Sequence, residues 1–121
     1  MINVIFKKSN DNMVSFKMSG HAAFCKEGYD LVCSAVSAIS QTTLIGFMEV
    51  LEIEPLYSID DGFLSVSLQN LSFEKMLECQ TLIKTMYMGL KNMELSYGDY
   101  IKVKIEEVWH YDTYEPSVIC S

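Results

Sequence analysis

The sequence is poor in residues that break structure. Its 121 residues include two prolines, Pro55 and Pro116, and no low-complexity run. Disorder is therefore expected only at the ends. Basic residues are also few, nine against sixteen acids, giving a formal net charge of -7. They are scattered along the chain, so no basic face is visible for neutralising phosphates, and no direct nucleic-acid partner is expected. Cys25, Cys33, Cys79 and Cys120 form no C-x-x-C pair, which removes the zinc-ribbon and thioredoxin signatures. The start, Met1-Ile2-Asn3-Val4, lacks the basic-then-apolar order of a signal peptide, so free thiols are the default. Residues 31–48 hold no charge at all. A membrane span is nevertheless not expected, because Ser34, Ser37, Ser40, Gln41, Thr42 and Thr43 would need internal partners in lipid. A core helix is the simpler reading.

Half of the residues are hydrophobic, enough to bury a core, and the length fits one compact domain. Residues 2–8 and 13–19 alternate in character around the turn cluster Ser9-Asn10-Asp11-Asn12, which predicts a hairpin. A connector of about ten residues follows, 20–29, carrying Gly20 and Gly28. A loop that long in a small domain is often a lid, with the glycines as hinges. Asp30 is placed as the N-cap of a helix over 31–51, with Val32, Val36, Ile39, Thr43, Phe47 and Val50 facing the core. Residues 55–59 and 63–68 form a second hairpin around the Asp-Gly turn signal of Asp61-Gly62. A second helix runs from Asn70 or Ser72 to about residue 95, with an apolar seam through Met76, Cys79, Ile83, Met86, Leu90 and Met93. The strand at 100–108 is the last element. The order is β-β-α-β-β-α-β, an α+β single domain with one sheet covered by two helices. The domain spans 1–108, and residues 109–121 form a C-terminal tail.

One segment carries chemistry: Gly20-His21-Ala22, then Gly28-Tyr29-Asp30-Leu31-Val32-Cys33-Ser34-Ala35-Val36-Ser37. With Asp30 as cap, Cys33 is the third helical residue, near amides that lack helical acceptors. The helix dipole there favours a thiolate by about 0.3–1 kcal/mol, roughly one pKa unit or less. Strong activation needs an imidazole, and His21 stands where the second strand ends and the chain returns to the helix. In this reading Cys33 is the nucleophile, His21 its general base and acid, and the first-turn amides are candidate oxyanion donors. Asp30 either caps the helix or also orients His21. His21, Cys25 and Cys33 supply at most three metal ligands with no fourth nearby, so no metal is expected. The bland alternative is a packing cysteine and a strand-end histidine.

The motif G-H-A, a glycine, then D-L-V-C-x-A-V-S resembles the signature of the ribosomal-processing cysteine proteases of bacteria. Ile53-Glu54-Pro55 and Tyr97-Gly98-Asp99-Tyr100-Ile101 are similar to further segments of that family. The resemblance implies a homodimeric cytoplasmic endopeptidase without cofactor. It implies catalytic His21 and Cys33, with Asp30 and Ser37 in support. The implied substrate is the N-terminal extension of large-subunit ribosomal protein twenty-seven. Cys25 in the connector and the tail over 109–121 depart from the recognised pattern. Two other classes compete: a non-enzymatic ribosome-associated binding module on the same fold, and a thiol redox protein with Cys25 as resolving cysteine.

Overall fold

The structure, a computed structural model, describes residues 1–20, 27–60 and 62–108, with the backbone alone over 27–30. Five strands form one sheet: β1 (Ile2–Ser9), β2 (Asn12–Ser19), β3 (Leu56–Asp60), β4 (Phe63–Ser67) and β5 (Ile101–Glu107). Their spatial order is β3-β4-β2-β1-β5. Both hairpins are antiparallel, β2 pairs antiparallel with β4, and β5 joins β1 in parallel. The helices are α1 (Glu27–Ile45), which runs on into a π-helical turn at Gly46–Val50, then α2 (Phe73–Glu78) and α3 (Gln80–Tyr97).

Strand alternation decides which face carries the core. Ile2, Val4 and Phe6 of β1, Phe16 and Met18 of β2, Leu64 and Val66 of β4, and Ile101 and Val103 of β5 are all buried. Against them pack Val32, Val36, Leu44 and Phe47 of the first helical segment and Ile83, Met86 and Leu90 of α3. Leu31–Val50 is long and apolar enough to cross a bilayer, yet its inward residues belong to this core. The expected α+β domain with one helix-covered sheet is what folds. Ser40, fully buried in α1, donates to the Met18 Sδ at 3.8 Å, tying the helix to β2.

A bulge in β2 sets its phase. Lys8 pairs with Met13 and Lys7 with Ser15, leaving Val14 as the extra residue, so Met13 and Val14 are both buried. Gln80 closes this irregularity. Its Oε1 accepts from the Met13 amide at 2.8 Å, and its Nε2 donates to the Met13 carbonyl at 2.9 Å and the Met76 carbonyl at 3.1 Å. At the end of β2, Gly20 has φ +87, and a Cβ there would stand 2.2 Å from the Met1 carbonyl oxygen. Only glycine fits this position.

Several sequence expectations are corrected. The helix begins at Glu27, not after Asp30, so Asp30 is its fourth residue and not its cap, and Gly28 lies inside it rather than in a lid. Val50 is 76% exposed rather than in the core. The π-helical turn adds a residue to the repeat and rotates the chain after Phe47 out of phase. The second helix is two: Ser72 caps α2 by accepting from the Lys75 amide, and the chain turns at Cys79 before α3. The seam itself survives the break, with Met76, Cys79, Ile83, Met86 and Leu90 buried.

Candidate active site

Cys33 is the seventh residue of α1, one turn deeper than the third position expected for it. The amides without helical acceptors are those of residues 27–30, so Cys33 does not sit among them. The dipole's pull on a thiolate falls off within the first turn, and its help at Cys33 is correspondingly small. The thiol is free, 3% exposed, and part of the core cluster with Val32 and Val36. Activation of such a thiol needs a neighbouring base. His21 lies outside the described residues, as does Cys25. Most of the expected lid, residues 21–26, lies outside them too.

Asp30 and Ser37 stand three positions before and four positions after Cys33, spacings that share one face of a helix. Ser37 is half-buried. Supporting roles for both are thus compatible with the helical register, although the capping role of Asp30 is not. The connector's other glycine, Gly20, follows β2 at φ +87 with no room for a Cβ beside the Met1 carbonyl. It fixes where the chain leaves the sheet towards His21.

An apolar cleft of about 460 Å³ opens between α1 and α3, lined by Ala38, Ile39, Thr42, Leu82, Met86 and Gly89 among others. It begins five residues beyond Cys33 along α1, and Cys33 is not in its lining. The second free thiol, Cys79, is also buried in the core. Burial, with a smaller contribution from Glu78, raises the Cys79 pKa from 9.0 to about 11. Cys79 is an inert core thiol at neutral pH.

The profile of the family described as cysteine protease Prp matches residues 1–102. The chain belongs to the Prp cysteine protease family. The ribosomal processing cysteine protease Prp of Bacillus subtilis (strain 168) is 33% identical over 107 residues, covering 85% of this chain and 96% of the relative. Among solved structures, SMU.848 from Streptococcus mutans superposes with a TM-score of 0.81 at 22% identity, over 89% of this chain and 96% of that one. The Prp protease of S. aureus in complex with a substrate peptide gives a TM-score of 0.77 at 22% identity, over 88% of this chain and all of its own. A second S. aureus Prp structure holds a covalently linked product peptide, with a TM-score of 0.72 at 24% identity. These structures share the five-stranded sheet and its helical layer.

Sequence reasoning missed two structural devices. One is the Gln80 bridge to Met13. Its signal was a glutamine interrupting the apolar seam, the type of residue that is buried only when its amide is satisfied. The other is at the free edge of β5. There the Glu94 carboxylate accepts from the Val103 amide at 2.9 Å and from Lys91 Nζ at 2.8 Å. The Lys91 ammonium also donates to the Val103 carbonyl at 3.3 Å. The two side chains thus occupy the outward backbone groups of Val103, a guard against edge pairing.

Proposed function

We propose that this Prp family member is an endopeptidase in which Cys33 is the nucleophile and His21 its base, and that it removes the N-terminal extension of large-subunit ribosomal protein twenty-seven. The observation that carries the reading is local. A free thiol is held on the rigid first helix, and the connector entering that helix bears His21, all within the matched residues. His21 takes the thiol proton, and the thiolate attacks the scissile carbonyl carbon to form a tetrahedral oxyanion. The carbon–nitrogen bond then breaks, and His21 returns the proton to the leaving amine. Water hydrolyses the thioester and regenerates the thiol. Backbone amides at residues 27–30 are the available oxyanion donors on this helix, one turn before Cys33. Asp30 and Ser37 act in support through the shared helix face.

The reading extends to a cytoplasmic homodimer that needs no cofactor and inserts in no membrane. Support for the substrate comes from the relatives, one described as a ribosomal processing protease and one seen with a substrate peptide. A second reading, a non-enzymatic binding module, draws on the 3% exposure of Cys33, since attack requires the thiol to reach substrate.

Alkylation separates the two. At neutral pH Cys33 should react with iodoacetamide well ahead of Cys79, whose thiol is held near 11 by burial. His21→Ala should slow Cys33 labelling by about tenfold or more, the scale of a one-unit loss of thiolate stabilisation. Site-resolved mass spectrometry reads both rates. Equal labelling of Cys33 in the wild type and His21→Ala would refute the dyad and favour the module.

A further inference from the structure

The fold assembles a basic face that the linear sequence conceals. The side of the sheet opposite the helices is left open by the described elements. Register places Lys17, Ile5 and Lys104 side by side on it. The next row holds Ser67, Ser15, Lys7 and Glu106, and another holds Phe63, Ser19, Asn3 and Lys102. All nine basic residues of the chain are lysines, and four of them project from this one face. Lys7, Lys17, Lys102 and Lys104 are exposed. Glu106 is the only carboxylate among them on β1, β2, β4 and β5, and Asp60 lies on the outermost strand, at the opposite edge from Lys102. The other described side chains include four lysines and ten acids, so the described part of the molecule is divided in charge. Among the described residues the ion pair is Lys91 with Glu94, and none of the four face lysines is neutralised in this way. A shallow concavity of about 290 Å³ runs over the face, lined in part by Lys7, Ser15, Lys17, Ser65, Ser67 and Glu106.

We propose that this open sheet face binds RNA through its phosphate backbone. Four ammonium groups on a rigid sheet, with Glu106 the one carboxylate set among them, release counterions when phosphates replace them. Serine hydroxyls and the Asn3 amide standing between the lysines supply the neutral hydrogen bonds that position a phosphate–sugar backbone. Phe63 at the rim offers an aromatic ring on which a base can stack. An anionic membrane fits less well. Ile5 and Phe63 are half-buried, and the exposed Leu56 lies on the outermost strand beside Ser67, with two strands between it and Lys7, so the face has no cluster of apolar groups to anchor it in lipid. The inference rests on the sheet and not on Cys33, so it stands or falls separately from the protease reading.

The test is fluorescence anisotropy of a labelled single-stranded oligoribonucleotide with the full chain. Four phosphate contacts give a slope of log affinity against log salt near -3, or roughly fifty-fold weaker binding between about 50 and 200 mM salt. The double variant Lys17→Gln with Lys104→Gln should lower that slope by about 1.4. Lys75→Gln with Lys84→Gln, the same charge loss on exposed helix positions, should leave it unchanged. A Cys33→Ala chain should bind RNA as the wild type does, whatever its protease activity. Absence of binding at the lower salt, or an equal loss in the helix variant, would overturn the proposal. Displacement of the RNA by an equal concentration of polyglutamate of matched length would overturn it in favour of an acidic peptide. Tighter binding to anionic vesicles than to RNA would overturn it in favour of a membrane surface.

Discussion

Replacing Gln80 by leucine removes the one side chain that satisfies the bulged start of β2. Gln80 is 8% exposed and Met13 5%, so water does not take over the lost bonds. Gln80→Leu keeps most of the volume and the helix propensity but leaves the Met13 amide and carbonyl without the partners described at 2.8 and 2.9 Å. Each buried orphan costs about 1–3 kcal/mol, so the pair should cost about 2–6 kcal/mol of stability. The entropy of unfolding is near 2.1 cal/mol/K per residue, so a chain of this length loses about 4 °C of Tm per kcal/mol, or about 8–24 °C here. Urea unfolding followed by circular dichroism measures the free energy, and a thermal melt the shift. Gln80→Glu should be similarly damaging at neutral pH, because a carboxylate accepts from the Met13 amide but has no proton for the carbonyls of Met13 and Met76. A loss below about 0.5 kcal/mol in Gln80→Leu would refute the reasoning, since it would mean the bulge finds other partners.

Two further outcomes follow from local geometry. Gly20→Ala should destabilise the fold by more than about 1–2 kcal/mol, because it sets a side chain at φ +87 and a Cβ 2.2 Å from the Met1 carbonyl; an unchanged urea midpoint would contradict this. The Glu94 pKa is lowered first by the Lys91 hydrogen bond and then by the Val103 amide, so its contribution is present above the ordinary carboxylate range and fades as pH falls through the lowered value. With the pair partly exposed, Glu94→Gln should cost on the order of 1 kcal/mol or less and flatten that acid-side fall; a pH–stability curve parallel to that of the wild type would contradict it.

The elements were legible where the sequence period was clean. Ile2, Val4 and Phe6, and Ile101 and Val103, alternate and are buried as alternation requires. The Asp-Gly signal placed the second hairpin, and Gly62 has the positive φ that such a turn needs. The start of α1 was misread because Gly28 and Asp30 have local chemistry suited to a loop and a cap. The burial of the face that follows, with Val32, Cys33 and Val36, outweighs that preference. The π-helical turn after Ile45 left no local mark, so Val50 was assigned by extending a period that had already slipped. The lysine face was invisible for a simpler reason: Lys7 and Lys17 come from β1 and β2 and Lys102 and Lys104 from β5, and only the parallel β1–β5 pairing brings them together. For the candidate site, the motif gave the thiol and its helix, and the structure moved that thiol one turn inward and buried it.

Incubation of the wild type and Cys33→Ala with a peptide of the ribosomal protein's N-terminal extension, read by mass spectrometry, tests the central claim most directly. Alanine removes one small thiol and is the best helix former, so circular dichroism should show an intact fold, with at most the modest loss of a small buried group. The wild type should cut the peptide at one bond, and Cys33→Ala should leave it whole, because no acyl-enzyme forms without the nucleophile. Cleavage at the same bond by a well-folded Cys33→Ala chain would contradict the account.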